Sequence, residues 1–129
     1  MNLSITGRKR KMNREIKFRA WEKEEKKMIL PKNVTDNINI FARGCLSSNI
    51  ELMQYTGIKD KNGTEIYEGD ILELYDEEDF FKVEYQAEDV RFLLTSNSIC
   101  VSFEYYSQGE IEVVGNIYEN SKLLQKIIE

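Results

Sequence analysis

Thr56 to Leu72 reads TGIKDKNGTEIYEGDIL, and Gly57, Gly63 and Gly69 divide this stretch into short extended pieces. Asn62-Gly63 favours positive φ, so the chain is expected to fold back there in a tight turn between two extended pieces. Asp60 to Gly63, DKNG, superficially resembles the start of a calcium loop. Such a loop needs oxygen ligands at roughly positions 1, 3, 5 and 12 and a glycine at position 6. Counted from Asp60, the glycine arrives too early, Glu65 takes its place and Ile71 stands where the last carboxylate belongs. No metal site is therefore expected. Gly69 relaxes the backbone before the next strand, and Asp70 offers its carboxylate to neighbouring amides. Gly57, Asp60, Asn62, Gly63, Gly69 and Asp70 are thus read as structural turn residues.

Downstream of this stretch the turn signals become regular. Strands are expected over Leu52 to Thr56, Ile71 to Tyr75, Phe80 to Tyr85, Val90 to Thr95, Ile99 to Tyr106 and Ile111 to Val114, separated by DEED, QAED, SNS and SQGE clusters. This spacing suits an all-β barrel or sandwich, and no gap is long enough for a crossover helix, so the pairing should be antiparallel. Asn120 to Glu129, NSKLLQKIIE, carries a cap residue and Leu123, Leu124, Ile127 and Ile128 at helical spacing, which predicts a short amphipathic C-terminal helix.

Upstream, Glu15 to Trp21 alternates Ile16, Phe18 and Ala20 with Lys17, Arg19 and Trp21, the period of a half-buried strand. The polar run Glu22 to Lys27 and the apolar Met28 to Leu30, ended by Pro31, make the strand one arm of a hairpin. Residues 32 to 49 are polar with isolated Val34, Ile38, Ile40 and Phe41 and are interrupted by Gly44, so they are expected to form a loop with one short strand. Trp21, opposite Phe18 in the alternation, either covers the barrel or faces a partner.

The 129 residues suffice for one compact core, giving an N-terminal β extension and loop over 12–50 and a barrel with its C-terminal helix over 51–129. Met1 to Lys11, with GRKRK directly before Met12, is expected to be a disordered basic extension ahead of a natural start at Met12. The chain lacks histidine, which removes the commonest general base and most zinc sites. No phosphate-cradling glycine loop precedes a helix. Catalytic residues, cofactors and metals are therefore not expected, and Glu65, Glu68, Asp70 and the run Asp76 to Asp79 are read as turn and surface carboxylates. Cys45 and Cys100 have no metal-like spacing and are expected to be reduced. No apolar run approaches the roughly 20 residues that span a bilayer, so the chain is expected to be cytoplasmic.

Charge divides the molecule. Residues 1–32 hold eleven Lys/Arg against four Glu, a net +7, and residues 33–129 hold seven against nineteen, a net −12. Two functions follow. In one, hairpin and barrel bind protein, foremost other copies of this chain, with Arg14, Lys17, Arg19 and Trp21 as candidate interaction residues. In the other, Arg8, Lys9, Arg10, Lys11, Arg14, Lys17 and Arg19 contact nucleic-acid phosphates. The aromatics Tyr55, Tyr67, Tyr75, Phe81, Tyr85, Phe92, Phe103, Tyr105 and Tyr118 sit among acidic neighbours, which favours core packing over base stacking for most of them.

Three segments in order, REIKFRAWEKEEKKMI (Arg14 to Ile29), LMQYTGIKDKNGTEIYEGDIL (Leu52 to Leu72) and EVVGNIYENSKLL (Glu112 to Leu124), resemble the YopX family of bacterial phages and prophages. The resemblance implies a small SH3-like β-barrel with an N-terminal β extension and supports Met12 as the start. It implies an uncharacterised protein of the phage and prophage type; an accessory role in the bacterial host's cytoplasm, with a host or phage protein as a further partner, is expected in addition, apart from the resemblance. It supplies no catalytic residue.

Overall fold

The structure is a computed structural model and describes residues 15–97 and 99–128. Strand β1 (Phe18–Glu22) and strand β2 (Lys27–Ile29) form the expected hairpin, with Ala20 opposite Ile29. The turn between them closes on Glu22, whose carboxylate accepts N–H bonds from Glu24 at 3.0 Å and Glu25 at 3.1 Å. Strand β3 (Ile50–Lys59) lies on the other side of β1, pairing Phe18 with Gln54 through to Glu22 with Ile50, and strand β4 (Glu65–Tyr67) adds to its far half. These four make one antiparallel sheet in the order β2-β1-β3-β4. The sheet therefore runs across residue 50, where the extension was expected to end and the barrel to begin.

The second sheet contains β5 (Asp70–Leu74), β6 (Phe80–Gln86), β7 (Arg91–Ser96), β8 (Ile99–Ser102) and β9 (Ile111–Asn116), ordered β9-β5-β6-β7-β8 and antiparallel throughout. It curls into an SH3-like half-barrel around Leu72, Leu74, Phe81, Val83, Leu94 and Ile111, and Ile66 of β4 sits fully buried in the same cluster. One core thus joins both sheets. Helix α2 (Ser121–Ile128) follows at the expected place, and its Ile127 is buried. The expected strand from Ile99 to Tyr106 ends at Ser102 instead. There the Ser102 hydroxyl accepts the Glu104 N–H at 3.4 Å and starts a 3-10 turn over Phe103–Tyr105, which points Phe103 into the core.

The largest correction concerns residues 32–49, expected as a loop with a short strand. They form helix α1 (Val34–Leu46). Asn33 caps it, its side chain accepting the Asp36 N–H at 2.8 Å, the arrangement that satisfies an otherwise unpaired first-turn donor. Gly44 does not interrupt the helix. It lets α1 press onto β3, since a Cβ there would meet Leu52 Cδ1 at 2.8 Å. Ile40 joins Ala20 and Ile50 in a second, smaller core. No helix among the described residues is long and apolar enough to cross a membrane.

Candidate interaction surface

The opening stretch is built around Asp60, which is only 1% exposed. Its Oδ1 accepts the N–H groups of Asn62 and Thr64, both at 2.9 Å, and its Oδ2 accepts that of Val113 in β9, also at 2.9 Å. Burial raises the Asp60 pKa, but the three amides outweigh it and hold the carboxyl below the usual carboxylate value. Gly63 has φ +81 and donates to the Asp60 carbonyl at 3.0 Å, closing the expected turn beside Asn62. Gly57 lies instead in a bulge of β3, at φ +89, between the pairs Tyr55–Tyr67 and Lys59–Glu65. Thr56 stabilises the bulge, donating its hydroxyl to the Ile66 carbonyl at 2.7 Å and accepting the Ile58 N–H at 3.1 Å.

Gly69, also at φ +89, leads into β5. Its N–H donates to the Val83 carbonyl at 2.9 Å and its carbonyl accepts from Ile117, so the left-handed residue is locked between two strands and the C-terminal segment. Asp70 then points inward. Its Oδ2 accepts the Tyr67 N–H at 2.8 Å, and its Oδ1 meets the Arg19 guanidinium at 2.7 Å. The guanidinium also lies 4.7 Å from the centre of the Tyr67 ring. Burial pushes the Asp70 carboxyl up, opposed by Arg19 and the Tyr67 amide. Burial, reinforced by nearby Glu65, pushes the Tyr67 hydroxyl up to about 12.

This geometry revises the candidate contacts on β1. Arg19, 7% exposed, fastens β1 to β5, and Trp21, 9% exposed, stacks on Tyr118 with ring centres 5.5 Å apart and planes 14° apart. Both are interior residues, because α1 covers one face of β1 and the C-terminal half of the chain covers the other. Lys17 is half-buried and pairs with Glu65 at 2.5 Å and Glu15 at 3.3 Å. Arg14 and Met1 to Lys11 lie outside the described residues. Arg19 thus cannot reach a phosphate, and Lys17 already has carboxylate partners. Of the aromatics, Tyr55, Tyr67, Phe81 and Phe103 are buried as expected, while Tyr75, Tyr85 and Tyr105 are exposed. Among the described residues no three Cys, Asp or Glu side chains converge as metal ligands.

The surface that sequence reasoning missed lies on α1. Val34, Ile38, Phe41 and Cys45 follow helical spacing and are all exposed, Val34 by 75%. Leu46, 87% exposed at the helix end, and Leu30, just before the helix, are exposed apolar residues as well. At the N-terminal end of α1 a groove of about 840 Å³ opens between Lys17, Lys32, Asn37, Tyr55 and Lys59. The apolar stripe contains no charged side chain, and of its members Phe41 packs in part against Phe18, with ring centres 4.9 Å apart. A contiguous apolar strip of this kind on a water-facing helix is characteristic of a contact surface.

The family model described as YopX protein matches residues 17–125. Among solved structures, protein EF1440 from Enterococcus faecalis is similar at 28% identity and TM-score 0.57, with 87% of this chain and 99% of that chain covered. Protein yopX from Bacillus subtilis is similar at 18% identity and TM-score 0.53, covering 82% and 95% respectively, a likeness of fold. No curated protein matches the chain.

Proposed function

This chain belongs to the YopX family, and from that footing we propose that it is a non-enzymatic accessory protein of the phage and prophage type, a protein-interaction module that associates with copies of itself. The observation that carries the reading is the exposed apolar stripe of α1. Its natural cover is the same stripe on a second copy, because two uncharged helix faces meet without bringing together the acidic surfaces of residues 33–129, which sum to −12. The non-enzymatic reading is supported by where the buried carboxylates Glu22, Asp60 and Asp70 are used: they hold backbone amides and, at Asp70, an arginine.

Light scattering over a range of protein concentrations tests this. The parent is expected to exceed its 15.2 kDa monomer mass at micromolar concentration and to stay associated at moderate salt. Ile38→Glu with Leu46→Glu, both at exposed positions, should lower the associated mass at each concentration while its far-UV circular dichroism is unchanged. A parent that is monomeric at every concentration would remove the self-association reading.

A further inference from the structure

Two open sheets present four outer edges, and this chain treats them unequally. On β9, Asp60 takes the Val113 N–H, the Lys61 N–H takes the Ile111 carbonyl, and Asn120 Oδ1 accepts the Asn116 N–H at 3.0 Å. On β4, Asp70 takes the Tyr67 N–H. β2 is three residues long, starts with Lys27, and is followed closely by Pro31. Even the stretch leading into β1 is sealed, by the Asn37 side chain of α1. Its Oδ1 accepts the Phe18 N–H at 2.7 Å and its Nδ2 donates to the Ile16 carbonyl at 2.9 Å, imitating a neighbouring strand. Short length, lysine, proline and side-chain partners are the devices that keep an edge from recruiting another strand.

β8, four residues long, has only the first of these and none of the others. Ile99–Ser102, ICVS, carries no charge and no proline, and its register against β7 is unbroken from Ser96↔Ile99 to Leu93↔Ser102. Among the described residues no backbone or side chain bonds to its outer edge. Ile99 is 51% exposed and Cys100 is exposed, whereas Val101 turns into the core. We infer that the outer edge of β8 pairs with β8 of a second copy, antiparallel about a two-fold axis, so that two half-barrel sheets become one continuous sheet. An antiparallel edge is complementary to itself under two-fold rotation. The absence of charge on this strand lets two acidic molecules approach there without opposing like charges in the ladder. The inference rests on the self-association reading but assigns it a surface separate from α1.

The test is amide hydrogen exchange at Ile99 to Ser102, measured at micromolar and submillimolar protein beside light scattering. The inference expects these amides to exchange more slowly at the higher concentration, by about an order of magnitude. Cys100→Lys with Ser102→Lys, on the outer face, places like charges across the junction and should restore fast exchange at both concentrations. The concentration dependence of the parent stands even if that variant does not fold. Exchange that does not change with concentration overturns the inference, since the edge is then open or covered from within the chain. A parent that associates while β8 exchanges freely also overturns it and leaves the self-association reading intact. A parent that is monomeric throughout removes both.

Discussion

Asp60 and Asp70 are both buried and ten positions apart, yet their surroundings push their acidities in opposite directions. Asp60 gains three backbone N–H bonds and has its pKa lowered; Asp70 loses more to burial than Arg19 and one amide return, and its pKa is raised. A carboxylate whose folded pKa is lowered contributes stability above its unfolded value, near 3.8, and loses it as pH falls through the folded value. Asp60→Asn keeps one acceptor and loses the other. It should therefore cost about 1.5–3 kcal/mol near neutrality, and its urea midpoint should converge on the parent's as pH drops below the ordinary carboxylate range. A gap that stays constant with pH would assign the cost to shape and not to charge. At Gly69 the issue is backbone. With φ +89 and a Cβ that would lie 3.2 Å from Met53 Sδ, Gly69→Val should lower stability by about 1–3 kcal/mol. Glu68→Gln, at a carboxyl whose pKa burial raises, should leave stability equal or slightly improved. Urea unfolding of the two variants side by side decides both; equal midpoints for Gly69→Val and the parent would refute the strain argument.

Among the elements, strands were legible and α1 was not. Turn clusters every few residues and alternating apolar positions marked β5 to β9 because those strands carry the half-barrel core. In residues 32–49 Val34 and Ile38 face outward and Phe41 is only partly covered, by Phe18, so they gave no impression of a core-facing stripe, and Gly44 looked like a break although it marks close packing on Leu52. The helical spacing was present, as was Asn33 as a cap; the inward residue Ile40 alone was too little to pair them with. Strand β4 escaped notice because it is three residues long between two turns. On β1 the alternation was read correctly but its meaning was not, since both faces are covered and a charged residue on the second face found an internal partner. That partnership predicts a particular pattern. Arg19→Met leaves Asp70 buried without its counter-charge and should cost about 3–5 kcal/mol, whereas Arg19→Met with Asp70→Asn, which preserves an acceptor for the Tyr67 N–H, should recover much of the loss. Thermal or urea unfolding of the single and double variants measures it. A double variant no better than the single would mean that the arginine acts through packing against Tyr67 and Met53.

At the scale of the molecule, the two sheets share one core through Ile66, one ion pair through Arg19 and Asp70, and one loop through Asp60 and Val113. They should therefore unfold together. Trp21, the only tryptophan, reports on the four-stranded sheet and its stack with Tyr118, while far-UV circular dichroism reports on both sheets. The two signals are expected to give superimposable urea transitions. Separated midpoints would show that the hairpin with α1 is an independent unit.

The carboxylate of Asp60 also sets an order of events when the chain is made. A ribosome releases the chain from its N-terminus, at roughly 5–20 residues per second, so Asp60 emerges long before Val113, the third amide it must hold. Until then β5 lacks β9, its first neighbour in the finished sheet, and Asp60 is a half-satisfied charge at an open seam. A product cut short anywhere before Val113 keeps that seam open for good. Such fragments should be cut by proteases faster than the whole chain, whose last strand closes the seam.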